Sequence, residues 1–242
     1  MIPLRDRNPT RRTPVVTYAL IVACFVVFAI ELSISLSGGD AALERFFDQW
    51  GAVPSKISAA LQGGDYLSQA LATTVTSQFL HGGWLHIIGN MLFLWIFGNN
   101  VEDRLGRLPF LAFYLLGGIA AALTQVWIDP ASQAPLVGAS GAIAAVLGVY
   151  VVLWPGARIL SLVFLGIFYQ LLEVPALIVL GYWFVLQLLN GATSLGAQTA
   201  ESGVAFFAHI GGFLAGAAVG LVVRVTGLGR WMAARSSTEP MG

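Results

Sequence analysis

The sequence predicts an all-α, polytopic membrane protein: a bundle of six transmembrane helices. Three observations carry this. First, of 242 residues 57% are hydrophobic and 10% charged, where a soluble domain carries about a quarter charged residues. Second, apolar runs near the spanning length of about 20 residues recur at 15–36, 84–101, 109–128, 139–154, 174–190 and 204–224. Third, the arginines collect on alternate connections between these runs. The net charge of +0 gives no reason to expect a nucleic-acid partner. The lone Cys24 excludes an internal disulfide framework.

The first run, 15–36, is interrupted only by Glu31 and follows Arg5, Arg7, Arg11 and Arg12. It is longer than a signal-peptide core and no A-x-A site follows, so it reads as a retained span. The stretch 37–83 mixes Leu43, Phe46, Phe47, Trp50 and Val53 with Glu44, Arg45 and Asp48. That is the pattern of amphipathic helices lying on a membrane surface. The run 139–154 is short, as a tilted or partly submerged helix would be. The stretch 159–190 is too long for one span and too short for two with a turn. Glu173 and Pro175 suit a helix start at the interface. This leaves 174–190 as the fifth span and 159–172 as an interfacial or re-entrant piece.

Six spans put Arg5, Arg7, Arg11, Arg12, Arg104, Arg107, Arg158, Arg224, Arg230 and Arg235 on one side, with Arg45 and Lys56 on the other. The positive-inside rule then makes both termini cytoplasmic. A seventh span at 159–172 would carry the C-terminal arginines outside. Trp84, Trp127, Trp154 and Trp183 lie near predicted span ends, as interfacial aromatics do. The expected organisation is a basic cytoplasmic tail at 1–14, a membrane domain at 15–224 and a cytoplasmic tail at 225–242. The arginine-rich, lysine-poor composition points to a GC-rich bacterial genome and so to a bacterial inner membrane.

Polar residues inside a membrane are costly and mark function. Three clusters stand out. In His81-Gly-Gly-Trp-Leu-His86-Ile-Ile-Gly-Asn90, His86 and Asn90 share a helix face and can both donate hydrogen bonds. The bland alternative is interhelical glue. The His81–His86 spacing is not that of a helical metal pair, and no Cys or carboxylate stands by to complete a site. In Gly138-Ala139-Ser140-Gly141-Ala142, the serine opens a span between glycines. A lone membrane serine commonly bonds back to its own helix, but one at a helix N-terminus sits beside free N–H groups that would stabilise an oxyanion. In Ala208-His209-Ile210-Gly211-Gly212 and on to Gly216, the small stripe of Gly212 and Gly216 can pack closely on Gly141, Ala144, Ala145 and Gly148 of the fourth span. That packing would bring His209 to Ser140. Plain small-residue packing with an incidental histidine is the competing account. Under the derived topology all three clusters fall in the outer half of the bilayer.

Together these pieces, with Val101-Glu102-Asp103-Arg104-Leu105-Gly106 after the second span, resemble the rhomboid family of intramembrane serine proteases from the first span to the sixth. The resemblance implies a rhomboid-like six-helix bundle and a Ser-His dyad without an acidic member. Ser140 is then the nucleophile and His209 the general base. His86, Asn90 and the Ser140 N–H would hold the oxyanion. His81, Glu102 and Arg104 would be structural, as would Gly138, Gly141, Gly212 and Gly216 around the site. The implied partners are transmembrane protein substrates and the lipid bilayer, with small residues at the cut and the fifth span (Trp183, Phe184) as gate. No cofactor, metal or nucleic acid is expected. A water-filled cavity open to the outside, walled by spans two, four, five and six, is required for hydrolysis.

Two departures stand against the family pattern. Some members carry a Tyr one turn after the serine, beneath the base; here that residue is Ala144, so something else must position His209. Some carry a Trp-Arg pair in the first outer loop; here Trp50 precedes Gly51. Two rival functions remain to be separated by experiment. A catalytically silent, client-binding member would usually lack the Ser or His that this chain has. A small transporter would show an inverted repeat or a mid-membrane carboxylate pair, and neither is visible.

Overall fold

The computed structural model describes residues 1–165, 168–194 and 205–227. Arg230, Arg235 and most of the expected C-terminal tail lie outside them, as does residue 204, the expected start of the sixth span. The chain opens with a strand, β1 (Ile2–Asp6), followed by the long helix α1 (Val15–Gly38). Three short helices then make the connection to the second span: α2 (Asp40–Trp50), α3 (Pro54–Leu61) and α4 (Leu67–Thr76). The second span is compound. It consists of α5 (Trp84–Phe93), a π-helical turn (Leu94–Gly98) and α6 (Asn99–Leu105). Next come α7 (Arg107–Ile128) and α8 (Ser140–Leu153), the strands β2 (Arg158–Leu165) and β3 (Phe168–Pro175), and the helices α9 (Ala176–Ser194) and α10 (Phe206–Thr226).

Helices α1, α7, α9 and α10 are each long and apolar enough to cross a membrane. The stretch Trp84–Leu105 meets the same test jointly with Leu67–Phe79, from which it is bent by 86°. Together with the shorter apolar α8, these account for the six-helix bundle the sequence predicts. Pro175 falls immediately before α9, at the break the sequence marks.

The piece at 159–172 is neither a helix nor featureless. It forms an antiparallel hairpin, β2 on β3, with Arg158 opposite Pro175 and Leu162 opposite Leu171. The expected N-terminal tail supplies a third strand: β1 pairs antiparallel with β2, Ile2 opposite Leu162 and Asp6 opposite Ile159. Near a bilayer, backbone groups must find partners within the protein, and the ladder does this for an apolar segment too short to span. Arg7 closes the far edge through an ion pair to Glu173 at 2.9 Å.

The core lies between α8 and its neighbours. Tyr114, Phe97, Phe110 and Tyr150 are fully buried, and Phe97 meets Tyr150 edge-on at 5.0 Å. Where α8 crosses α10 no side chain intervenes. A Cβ added to Gly212 would collide with the Gly141 carbonyl oxygen, and one on Gly216 with the Ala145 backbone. On α8, a Cβ on Gly148 would strike the Phe213 carbonyl. Glycines are thus required at this crossing so that the two backbones can touch.

Candidate active site

The contact between α8 and α10 fixes the site. Ser140 is the first residue of α8 and His209 lies in the first turn of α10. Their side chains meet, with His209 Nε2 2.7 Å from Ser140 Oγ. Gly138, just before the helix, has φ +127, a conformation favouring glycine. A Cβ there would also stand 2.7 Å from His86 Nε2. The tight approach of this loop to α5 therefore depends on the missing side chain. The loop is pinned elsewhere by Gly138 N–H donating to the Ser77 carbonyl at 2.9 Å and by a bridge between Ala52 and Leu136.

His86 accepts the Gly82 N–H at Nδ1, 3.3 Å away, so its proton sits on Nε2, the nitrogen turned toward Gly138 and Ser140. Asn90, one turn further along α5, is buried, and its Nδ2 has no hydrogen-bond partner among the described residues. Its Nδ2–H is thus left by the described residues to serve an acceptor in the cavity that Asn90 lines. His81 sits behind this pair. Its ring lies edge-on to His86 at 5.3 Å and its Nδ1 donates to the Phe79 carbonyl at 3.2 Å. Its N–H is held by the buried Glu31 carboxylate at 3.1 Å. Glu31 is thus a support for the loop carrying His81 rather than an incidental charge near a span end.

Ser140, His209, His86 and Asn90 line one cavity of about 750 Å³. Its wall includes Gly118 and Ala121 of α7 and the loop 134–138, beside residues of α5, α8, α9 and α10. The third span therefore contributes to a wall expected from spans two, four, five and six alone. Trp183 is also displaced from expectation. It is no interfacial residue at a span end but lies within α9, its ring 5.9 Å from that of His209. One turn on, Gln187 Oε1 stands 2.8 Å from His209 Nδ1. The sequence reading passed over Gln187; the available signal was an amide in mid-span, four residues after a Trp. Ala144 is fully buried, its Cβ 3.3 Å from where a Gly212 Cβ would be.

Glu102 and Arg104 lie at the inner end, far from this cavity. Glu102 accepts the N–H groups of Val16 and Thr17 at 3.0 and 2.7 Å and the Thr17 hydroxyl at 2.7 Å. It caps α1 from another helix, a carboxylate at the positive end of the helix dipole. Arg104 is half-buried on the same short α6. Among the described residues no group of three or more His, Cys, Asp or Glu could hold a metal ion.

Residues 68–226 match the Rhomboid domain family. The chain belongs to the rhomboid family. It is 29% identical over 181 residues to the mitochondrial Rhomboid protein 1 of Saccharomyces cerevisiae, covering 69% of this chain and 49% of that one. It is also 29% identical over 208 residues to Rhomboid protease GluP of Bacillus subtilis, covering 86% of this chain and 35% of that one. To the chloroplastic Rhomboid-like protein 11 of Arabidopsis thaliana it is 36% identical over 97 residues, 39% of this chain and 34% of that one. The chain spans about half or less of the length of these relatives. It is an integral membrane protein of a family that includes serine intramembrane proteases, and the rhomboid resemblance read from its motifs holds.

Proposed function

We propose that this rhomboid is an intramembrane serine endopeptidase, cutting transmembrane segments of membrane proteins near the outer face with Ser140 as nucleophile and His209 as general base. The 2.7 Å contact between His209 Nε2 and Ser140 Oγ carries the reading. As Ser140 Oγ attacks a peptide carbonyl, its proton passes to His209 Nε2. The negative charge forming on the carbonyl oxygen meets the Ser140 N–H, the His86 Nε2–H and the unsatisfied Asn90 Nδ2–H, donors positioned before the charge appears. His209 then returns the proton to the leaving amine, and an acyl-enzyme on Ser140 remains. Water, activated by the same imidazole, releases the new carboxyl end.

Depth follows from length. The fourteen residues of α8 rise about 21 Å, short of the ~30 Å hydrocarbon core. With its C-terminal end at the inner boundary, Ser140 lies several ångströms beneath the outer one. A substrate helix must unwind there before its backbone reaches Oγ. The arginine distribution favours cytoplasmic termini under the positive-inside rule, which supports cleavage toward the outer face of a bacterial inner membrane.

The test is cleavage of a panel of single-span reporter proteins by the purified chain in liposomes, with a fluorophosphonate as active-site label. Wild type should cut at least one reporter and take the label, and Ser140→Ala should do neither. No cleavage and no labelling by wild type, or equal labelling of Ser140→Ala, overturns the reading and leaves a client-binding rhomboid.

A further inference from the structure

A serine-histidine dyad needs more than proximity. The imidazole must carry its proton on the nitrogen away from the serine, and the ring must not rotate. The position one turn after Ser140 is Ala144, which is fully buried and offers the ring nothing. We propose that Gln187 is the positioning residue of the dyad, and that α9 holds His209 at two points. This rests on the reading of Ser140 and His209 as nucleophile and base.

Gln187 Oε1 stands 2.8 Å from His209 Nδ1. An amide oxygen can only accept, so Nδ1 must donate. The imidazole proton is thereby fixed on Nδ1, and the lone pair of Nε2 faces Ser140 Oγ at 2.7 Å. That is the tautomer a general base requires. Gln187 is itself 9% exposed, so water does not compete for its oxygen. Trp183, one helical turn earlier, shares this face of α9 and sets its ring 5.9 Å from the imidazole at 41°. It limits rotation about the bond that the amide cannot control alone. During acylation Nε2 gains the serine proton while Nδ1–H stays with Gln187. The positive ring then faces a neutral dipole, not a carboxylate.

This arrangement puts the base on α10 and its orienting group on α9. Across the crossing of α8 and α10 the two backbones touch, whereas α9 meets the imidazole through the side chains of Trp183 and Gln187 and stacks Phe184 on Phe213 at 4.5 Å. Displacement of α9 away from the bundle would therefore release His209 while leaving Ser140 in place.

The experiment compares wild type, Gln187→Met and Gln187→Glu on a reporter that wild type cleaves, each variant first checked for an unchanged melting temperature. Gln187→Met keeps length and burial but has no oxygen. It should lower kcat about 10- to 100-fold, as expected of a misoriented base, with KM nearly unchanged. Gln187→Glu restores an acceptor and adds a charge that favours the protonated ring. It should recover part of kcat and move the acid limb of the pH–rate profile to higher pH by a unit or more. A Gln187→Met enzyme with wild-type kcat, or a Gln187→Glu profile superimposable on wild type, overturns the proposal. If wild type itself fails to cut while Ser140→Ala takes fluorophosphonate equally, it is the dyad reading that has failed instead.

Discussion

The two ends of the helix bundle are built on opposite terms. At the inner end, the end away from the cavity, several polar groups are partnered across distant segments, although Asn100 Oδ1 has no partner among the described residues. Glu102 of α6 caps the first turn of α1, the Tyr150 hydroxyl of α8 donates to Asp6 at 2.7 Å, and Asn100 donates to the Asn8 carbonyl at 3.1 Å. At the outer end, where the cavity lies, Asn90 Nδ2 has no partner among the described residues, and the chain before Ser140 is held in a conformation that favours glycine. Unsatisfied donors cost stability and do so usefully only if something rigid keeps them from relaxing onto each other. The inner end and the glycine crossing of α8 on α10 supply that rigidity. Substitutions at the outer end should therefore change rate and spare stability, and those at the inner end should do the reverse.

The largest expected effect that would break this contrast is at Asn90. Asn90→Ala removes a waiting oxyanion donor and should lower kcat about 10²-fold or more. The melting temperature in detergent should stay level, because Asn90 Nδ2 has no hydrogen bond to the described residues to lose. A variant that melts earlier yet cleaves normally would make Asn90 an interhelical strut, and the contrast would collapse at its outer end.

At the inner end the matching change is Glu102→Ala. It strands two N–H groups of α1 and a threonine hydroxyl, and bonds to a charged acceptor are the strong ones. A loss of about 2–4 kcal/mol is expected, read as earlier unfolding in a denaturant titration. Cleavage per molecule able to take a fluorophosphonate should be unchanged. A fall in that normalised rate would show that the inner end reaches the site as well as supporting it.

The contrast also explains what could be read from the sequence. The spans were legible because twenty-residue apolar runs leave few other structures possible, and the site clusters because His, Ser and Asn are conspicuous among glycines in such runs. The hairpin was not. The segment at 159–172 is apolar on both faces, and without alternation a buried strand cannot be told from a short buried helix. Its partner β1, moreover, lies more than 150 residues earlier in a segment that reads as a basic tail. Gln187 escaped for a related reason: one amide in an apolar helix has no local partner, and its role appears only when α9 is laid against α10. Glu31 likewise looked like a charge near a span end until the fold brought the His81 N–H to it.

The smallest effect tests the inner end from within. Asp6 is buried enough that desolvation holds its carboxyl above the usual carboxylate range, despite hydrogen bonds from Asn8 and Tyr150 that favour the charged form. The fold therefore binds this proton more tightly than the unfolded chain does, and the unfolded chain gives its proton up at about pH 3.9. From there upward ionised Asp6 works against folding, increasingly until the pH passes its folded value, and the penalty is complete at neutral pH. Asp6→Asn keeps an oxygen for the Tyr150 hydroxyl and discards the charge. It should raise stability at pH 7 and leave none of that difference at acid pH, with cleavage unaffected throughout. Asp6→Ala, which strands the buried tyrosine hydroxyl, should instead lower the melting temperature at every pH. If Asp6→Asn were the less stable protein at pH 7, the ionised carboxylate would be attracting more than burial costs it, and the positive charge responsible would have to be sought among the arginines at the same end of the bundle.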